Sequence, residues 1–381
     1  MTRKRKIIRA VTVADSLIFI EPSVLPLKDK YEVQILSSPG ERLNQMGVKY
    51  GVKIHPLYMF RRISPFQDLK SLYKLIRLFR RESPDIVHSM TPKAGLLCML
   101  AAWITRVPRR VHTFTGLVWP TSSGISRRIL MCTDWLTCAC ATHVIPEGQG
   151  VLNDLQKYIT KKPMRVLGYG NVCGIDLKRF SRTDKVMEIA KNIRVNGVFS
   201  FLFVGRIVKE KGINELVIAF DELNKKYPAT RLFLVGNYEA DLGPLNPDTI
   251  NKINSNSAIN AVGAKFGNDL LAYYAASDCF VFPSYREGFP NVVIEAGAMG
   301  LPSIVTDING SRDIIVDGKN GIIIPSKNYV ALYNSMEQMI LDEELKQSLA
   351  SNAREMIEKR YEQSFVTGCL LDFYDKINAN V

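Results

Sequence analysis

Residues 199–236, FSFLFVGRIVKEKGINELVIAFDELNKKYPATRLFLVG, decide the architecture. A short apolar run, FSFLFVG, leads into the helix-length INELVIAFDELNKKY, and a second apolar run, TRLFLVG, follows. Strand, crossover helix and strand in that order are the unit of a parallel α/β sheet. The alternation continues in both directions. Downstream, INAVG, CFVFPS, PSIVTD and GIIIP read as strands, and from Asn328 the chain reads as helices to its end. Upstream, KIIRAVTVA, YEVQILSS, KIHPLYM, DIVHSM, RRVHTFT and THVIPE make a second set. Among the intervening segments, DLKSLYKLIRLFRRE from Asp68 places Leu69, Leu72, Leu75, Ile76 and Phe79 on one helical face.

One sheet pattern stops and the other starts around Arg179–Val198. The expected fold is α/β, two Rossmann-like domains facing across a cleft. The expected domains are residues 1–180 and 181–381, with a carboxyl-terminal helix packing back on the N-terminal domain. A chain of 381 residues is long enough for two such domains. Its 46% hydrophobic and 23% charged residues exclude a disordered or fibrous chain.

Seven cysteines without a C-x-x-C pair do not form a disulfide framework. Cys138-x-Cys140 is too tight for the usual zinc spacing, so buried free thiols in a reducing compartment are expected. The opening MTRKRKIIRAVTVADSLIF has the basic start of a signal peptide, but Asp15 interrupts its apolar stretch and no small-residue cleavage site follows. It reads as a first strand. The stretch AGLLCMLAAWI from Ala94 to Ile104 is about half of the ~20 residues a membrane span needs. The expected location is cytoplasmic, peripheral on the inner face of the plasma membrane.

Charge is unevenly placed. Residues 1–180 hold 29 Lys and Arg against 12 Asp and Glu, a balance of +17, whereas the rest of the chain holds 21 against 25. Clusters fall at Arg3–Lys6, Arg61-Arg62, Lys70–Arg81 and Arg106–Arg110. Such an excess suits an anionic partner: nucleic acid, a phosphorylated substrate or a membrane surface. No helix-turn-helix or RNA-binding motif appears and aromatic stacking platforms are few, which argues against nucleic acid.

In open α/β sheets the ligand lies beyond the carboxyl ends of the strands. After FSFLFVG come Arg206 and Lys211; Gly205 allows close approach of the backbone, and a helix starting near Ile213 aims its amino end at the same crevice. Two cations so placed suit a diphosphate, Arg as a fork and Lys as a point charge. A basic surface turn is the plain alternative. After CFVFPS comes YREGFPNVVIEAGAMGLP, with Glu287 on a loop, Asn291 as the expected N-cap and Glu295 near the first helical turn. Dipole compensation accounts for Glu295 but leaves Glu287 without a reason. Carboxylates accept from sugar and ribose hydroxyls, and the backbone amides from Phe289 and Asn291 onward suit a phosphate.

VGRIVKEKG followed by E-x7-E in EGFPNVVIE resembles the retaining nucleotide-sugar glycosyltransferases of GT-B fold, family 4, over roughly Phe201–Pro325. The resemblance implies that Arg206 and Lys211 hold the donor diphosphate, Glu287 the transferred sugar's hydroxyls and Glu295 the ribose. It implies that the amides of Asn291 and Val292 meet the distal phosphate. HSMTPKAGLL and RRVHTFTGLVW are similar to bacterial polysaccharide transferases of this family. By that similarity His112, Thr115 and Gly116 face the donor sugar, and Thr91, Pro92 and Lys93 line the acceptor side. GNVCGIDLKRF resembles the family's turn into the second domain, with Asn171 where a serine is common. The family's glycine-rich loop after the first strand is missing from VADSLIFIEPS.

What the resemblance implies is a retaining glycosyltransferase of capsule or O-antigen type. It moves a sugar, expected to be an N-acetylated amino sugar on UDP, to a polyprenyl-diphosphate-linked saccharide. No Asp-x-Asp motif sits at a strand end, so no metal or other cofactor is expected. A sugar-nucleotide 2-epimerase of similar fold and a non-catalytic anion-binding scaffold are the alternatives. Of the four histidines, His55, His88 and His143 read as packing residues. Trp103, Trp119 and Trp135 read as core, although RRILMCTDWLTCACATHV beside Arg127-Arg128 also fits a helix on a bilayer surface.

Overall fold

The computed structural model describes residues 3–61, 63–239, 241 and 243–379; Arg62, from one of the basic clusters, lies outside them. Two compact units emerge. The first runs up to Gly174 and takes in the chain again from Gln363, while the second is Ile175–Glu362. The boundaries therefore differ from 1–180 and 181–381. The break falls at Gly174, and the last helix, Gln363–Ala379, belongs to the first unit.

The first unit is built on strands β1 Arg5–Ala10, β2 Tyr31–Ser37, β3 Lys53–Pro56, β4 Ile86–Met90, β5 Arg109–Phe114 and β6 His143–Pro146. All pair in parallel, in the order β3-β2-β1-β4-β5-β6. The run read as a first strand is thus central, with Ile7, Ile8 and Ala10 fully buried. Its strands are near-continuous apolar runs because helices cover both faces. On one face, helices Pro65–Glu82, Pro92–Ile104 and Gly124–Cys140 enclose Leu75, Phe79, Cys98 and Cys138. On the other, the last helix inserts Phe373, Tyr374 and Ile377 among Ile7, Val33, Ile86 and Val111. The tyrosine hydroxyl also hydrogen-bonds His88. Burial of those three side chains explains why the helix joins this unit, at about 1.5–3 kcal/mol per large apolar group.

The helix Pro65–Glu82 departs from the expected face. Leu75, Leu78 and Phe79 are buried, but Leu69 is 64% exposed. Trp119 is core as expected, whereas Trp103 and Trp135 are more than half exposed.

The second unit carries β7 Phe199–Val204, β8 Thr230–Val235, β9 Ile259–Gly263, β10 Cys279–Phe282, β11 Ser303–Thr306 and β12 Gly321–Ile324. They form a parallel sheet of order β12-β11-β10-β7-β8-β9. A single core spans it, from Ile175 through Phe201, Phe220 and Phe280 to Tyr361. In both units the order reverses beside the first strand, so each sheet has a switch point where its carboxyl ends splay apart. No disulfide joins the cysteines among the described residues, and five of the seven are buried. Among the described residues no helix is long and apolar enough to cross a membrane.

Candidate active site

In the second unit the strand ends bring Lys211 and Glu287 together, while Arg206 belongs to a second ion-pair cluster that runs through Glu210 to Arg286. Gly205 leaves β7 at φ 150°, and Arg206 follows, its guanidinium bonded to Glu210 at 3.2 Å and to Glu239 at 3.5 Å. Lys211 closes a short 3₁₀ turn, Lys209–Lys211, and Gly212 then enters the helix Ile213–Lys226 at φ 72°. A Cβ on Gly212 would stand 2.1 Å from the Pro283 carbonyl oxygen. Glycine there is what lets the β7 turn lie against the chain leaving β10. The consequence is an ion pair: Lys211 Nζ donates to Glu287 Oε1, with 14% and 16% of the two side chains exposed. Ser284 Oγ donates to the same carboxylate oxygen at 2.8 Å, and the ammonium lies 5.4 Å above the Phe282 ring.

Glu287 is followed by a loop and the helix Asn291–Ala298. Pro290, not Asn291, is the N-cap, and the helical ladder begins with Val293 N–H to Pro290 O at 3.0 Å. Asn291 and Val292 therefore stand at the first two helical positions, where backbone N–H groups point out of the helix end. Phe289 is buried against Tyr361, with ring centroids 5.5 Å apart. Glu295 falls in the second helical turn rather than the first. Its Oε2 accepts from the fully buried Tyr274 hydroxyl at 3.0 Å. Burial raises the Glu295 pKa, opposed by that hydrogen bond and by the Arg179 charge.

The first-unit candidates form a separate group. Thr91 ends β4 and caps the helix Pro92–Ile104 at φ 72°, ψ 144°. A β-branched residue in that region is strained. Thr12 holds it: Thr12 N–H donates to Thr91 Oγ1 at 3.1 Å, and the two hydroxyls meet at 2.8 Å. Pro92 is the first helical residue, and Lys93 is ion-paired with Asp68. Thr115 and Gly116 follow β5, the glycine at φ 129°. His112 lies within β5 and is only 1% exposed, Nδ1 bonded to Ser89 Oγ at 2.9 Å. Burial lowers its pKa to about 3. Its ring packs edge-on to Phe114 and fills the space a side chain at Gly95 would need, the Cβ falling 2.4 Å from Cε1. In this structure His112 is a neutral, packed residue of the first unit.

Beyond β1, β2 and β3 of the same unit lies an open crevice of about 990 Å³, lined by Asp15, Ser38, Gly40, Arg42, Tyr58 and Phe60 among others. The glycine absent after β1 is replaced from the neighbouring loop. A Cβ on Gly40 would be 2.7 Å from the Ala14 Cβ, so the β2 loop yields the space.

The model described as Glycosyl transferases group 1 matches residues 187–356, and that of Glycosyltransferase Family 4 matches residues 27–178. The capsular polysaccharide biosynthesis glycosyltransferase CapM of Staphylococcus aureus is 33% identical over 376 residues, 98% of this chain and 97% of CapM. The chain belongs to glycosyltransferase family 4. A second relative is the Escherichia coli UDP-Gal:alpha-D-GlcNAc-diphosphoundecaprenol alpha-1,3-galactosyltransferase. It is 28% identical, covering 78% of this chain and 76% of its own. The crystal structure of Anabaena HepE in complex with UDP superposes with a TM-score of 0.80 over 97% of this chain and 100% of that one. At 16% identity that likeness is one of fold, and the fold is GT-B.

Against this family 4 frame, four contributors escaped the sequence reading. Ser284 and Tyr274 orient the two glutamates, Gly310 seats the Glu287 loop, and Asp68 engages Lys93. Tyr274 sits in LLAYYAAS beside Tyr273, and no local pattern tells which of the two turns inward. Asp68 at least lies near an expected helix start, where an acid is common.

Proposed function

We propose that this glycosyltransferase uses a nucleoside diphosphate sugar and retains its anomeric configuration. The observation that carries the reading is the Lys211–Glu287 pair at the carboxyl edge of the second unit's sheet, five residues along the chain from Arg206. A diphosphate takes over Arg206 and Lys211 from their carboxylates. Lys211 then neutralises the leaving group while Glu287, released, accepts from the sugar's hydroxyls. Glu295, pre-set by Tyr274, receives the ribose, and the Phe289–Val292 segment offers its amides to the distal phosphate. Gly205 lets the backbone come close.

The reaction we favour is a front-face displacement. The bond from the anomeric carbon to the diphosphate oxygen breaks, and the bond to the acceptor oxygen forms on the same face. The acceptor's proton passes to the departing diphosphate oxygen. Lys211 and Arg206 stabilise the charge that develops there, a contribution of about 3–4 kcal/mol per well-placed donor. No divalent metal takes part in this scheme. The names of the relatives support UDP as carrier and a diphosphate-linked polyprenyl saccharide as acceptor, in capsule or related surface-polysaccharide synthesis. An N-acetylated amino sugar is the proposed cargo. The first-unit crevice, with Thr91 and Pro92 at its sheet's edge, is the proposed acceptor side, and the enzyme works peripherally at the cytoplasmic leaflet.

The test is thermal shift with UDP, GDP, ADP and TDP, with and without magnesium, followed by transfer to a synthetic lipid-diphosphate saccharide. A ligand at a hundred times its Kd stabilises by ~2.7 kcal/mol. A magnesium-independent shift with UDP, abolished by Glu295→Ala, is expected. Release of a free epimerised sugar without acceptor would instead make the chain a 2-epimerase. Absence of a shift with all four diphosphates would leave it an anion-binding scaffold.

A further inference from the structure

Glu210, the residue before Lys211, holds one guanidinium on each carboxylate oxygen. Arg206 lies 3.2 Å from Oε1 and Arg286 3.3 Å from Oε2. The three side chains are 42%, 36% and 36% exposed in the order Arg206, Glu210, Arg286, whereas the Lys211–Glu287 pair is 14% and 16% exposed. The cluster is thus the accessible half of the charge at this strand edge, and the Lys211–Glu287 pair the sheltered half.

Arg286 is the residue in it without an assigned role. Its chain neighbours are anchored on both sides. The Tyr285 hydroxyl donates to Glu215 at 2.7 Å with the Lys327 ammonium 5.0 Å over the ring, and Glu287 is bound by Lys211 and Ser284. Among the described residues the Arg286 guanidinium bonds Glu210 alone. A staple for the loop is not needed at that point. Tyr285 N–H already donates to the Glu210 carbonyl at 2.9 Å, and an ion pair this exposed adds little stability.

The charges point to a different use. Arg206, Lys211 and Arg286 are each bound to a carboxylate before any donor arrives. A guanidinium fork accepts carboxylate and phosphate oxygens in the same planar geometry, so Glu210 stands where a phosphate between two arginines would stand. Its backbone is fixed by the Tyr285 hydrogen bond, but its side chain is exposed and can turn to solvent without disturbing the loop.

We propose that Glu210 is an internal competitor for the donor's diphosphate, and that Arg286 joins Arg206 in receiving that diphosphate when Glu210 gives way. This rests on the nucleoside diphosphate donor proposed above. Binding exchanges two guanidinium–carboxylate pairs for guanidinium–phosphate pairs. After transfer the exchange runs backward: Glu210 returns to the arginines and hastens departure of the nucleoside diphosphate, a step that limits turnover in many enzymes. The site binds its donor less tightly than its cations alone would allow, and it releases its product faster.

The test is calorimetry of the full chain with UDP and, separately, with inorganic pyrophosphate, for the native chain, Glu210→Gln, Arg286→Gln and the double variant. Glu210→Gln keeps the side chain's shape and the backbone bond but removes the competing charge. It should bind UDP about five-fold tighter or more, and UDP should become a stronger product inhibitor of transfer. Arg286→Gln should bind UDP about ten-fold more weakly, with part of the affinity restored in Arg286→Lys. In the double variant the gain from Glu210→Gln should shrink, because one of the two guanidiniums it competes for is gone. A merely structural Glu210 would weaken binding when replaced, so unchanged or weaker UDP affinity in Glu210→Gln would overturn the proposal, as would native affinity in Arg286→Gln. Absence of UDP binding, with pyrophosphate held more tightly by Glu210→Gln than by the native chain, would remove the nucleotide donor and leave this inference standing. Binding of neither ligand by any of the four chains would overturn it.

Discussion

Lys211 and Glu287 come from different crossovers of the second sheet, 76 residues apart, and meet as an ion pair with little of either side chain exposed. Neither is held by the pair alone. Ser284 donates to the same Glu287 oxygen, and Tyr285 N–H donates to the Glu210 carbonyl at 2.9 Å, tying the β10 loop to the turn that carries Lys211. Removing one partner strands the other charge. Lys211→Ala should therefore cut turnover at least a hundred-fold, ~2.7 kcal/mol of lost transition-state stabilisation. Glu287→Gln should act mainly on the sugar, lowering turnover while UDP affinity stays within a few-fold. Steady-state kinetics with UDP titration decides it: near-normal turnover of Lys211→Ala excludes the assigned role.

Tyr274 and Glu295 make the second prediction. The tyrosine is fully buried and its hydroxyl reaches Glu295 at 3.0 Å, so the carboxylate is oriented from inside the core. A bond to the charged form is worth ~1.5–3 kcal/mol. Tyr274→Phe leaves the carboxylate less well held and raises its pKa further, because burial already pushes it upward. The expected result is UDP binding ten-fold weaker or more, with the loss larger at pH 6 than at pH 8 because the Glu295 pKa is shifted upward. Glu295→Gln should show the loss without the pH dependence. Calorimetry at the two pH values checks both, and equal affinity of Tyr274→Phe and the native chain would remove the tyrosine from the site.

All twelve strands were legible because a parallel sheet covered on both faces needs short, near-continuous apolar runs, which the sequence displays plainly. The cations and glutamates were legible because they stand directly after such runs. What escaped was settled by tertiary packing. Leu69 fits the periodicity as well as Leu78 does, yet only the latter finds a neighbouring helix to bury it. Asn291 is a better N-cap by type than Pro290, but the chain enters the helix one residue earlier. The last helix packs back on the first unit as the fold reading expects, and only the domain bounds, drawn as one continuous second segment to residue 381, left it on the wrong side of the partner sheet of Phe373, Tyr374 and Ile377. Tyr274 and Gly310 act from other elements on residues they support, and sequence spacing carries no trace of that contact.

His55 supplies a pH dependence. The ring is buried, with Nε2 bonded to Gln34 Oε1 at 2.7 Å. Burial lowers its pKa from 6.5 to about 4, although the Glu82 carboxylate pulls the other way. The unfolded chain thus takes up this proton before the folded one does. The neutral ring's contribution is complete above about pH 6.5 and is lost as the pH falls toward 4. The stability advantage of the native chain over His55→Asn should shrink by ~1.4 kcal/mol per pH unit in that window. Urea unfolding of both chains at pH 7 and pH 5 measures the change. A difference that does not move with pH would mean the ring is not held neutral.

Gly310 offers the sharpest test of how the Glu287 loop is seated. It sits at φ 77°, and an added Cβ would fall 2.4 Å from the Gly288 carbonyl oxygen and 2.8 Å from Pro290 Cδ. Gly310→Ala thus imposes two effects, a backbone penalty of roughly 1–3 kcal/mol for a side chain at φ 77°, ψ −50°, and a collision with the loop between Glu287 and the helix. Gly318 separates them. It has a similar φ of 71° with nothing within 4 Å of its Cβ position. Gly318→Ala should lose about the backbone penalty in stability and keep its activity. Gly310→Ala should lose more stability and at least ten-fold in kcat/KM for the donor, because the loop can only relieve the collision by moving Glu287 away from Lys211. Equal activity of the two variants would show that the seating of this loop does not govern catalysis.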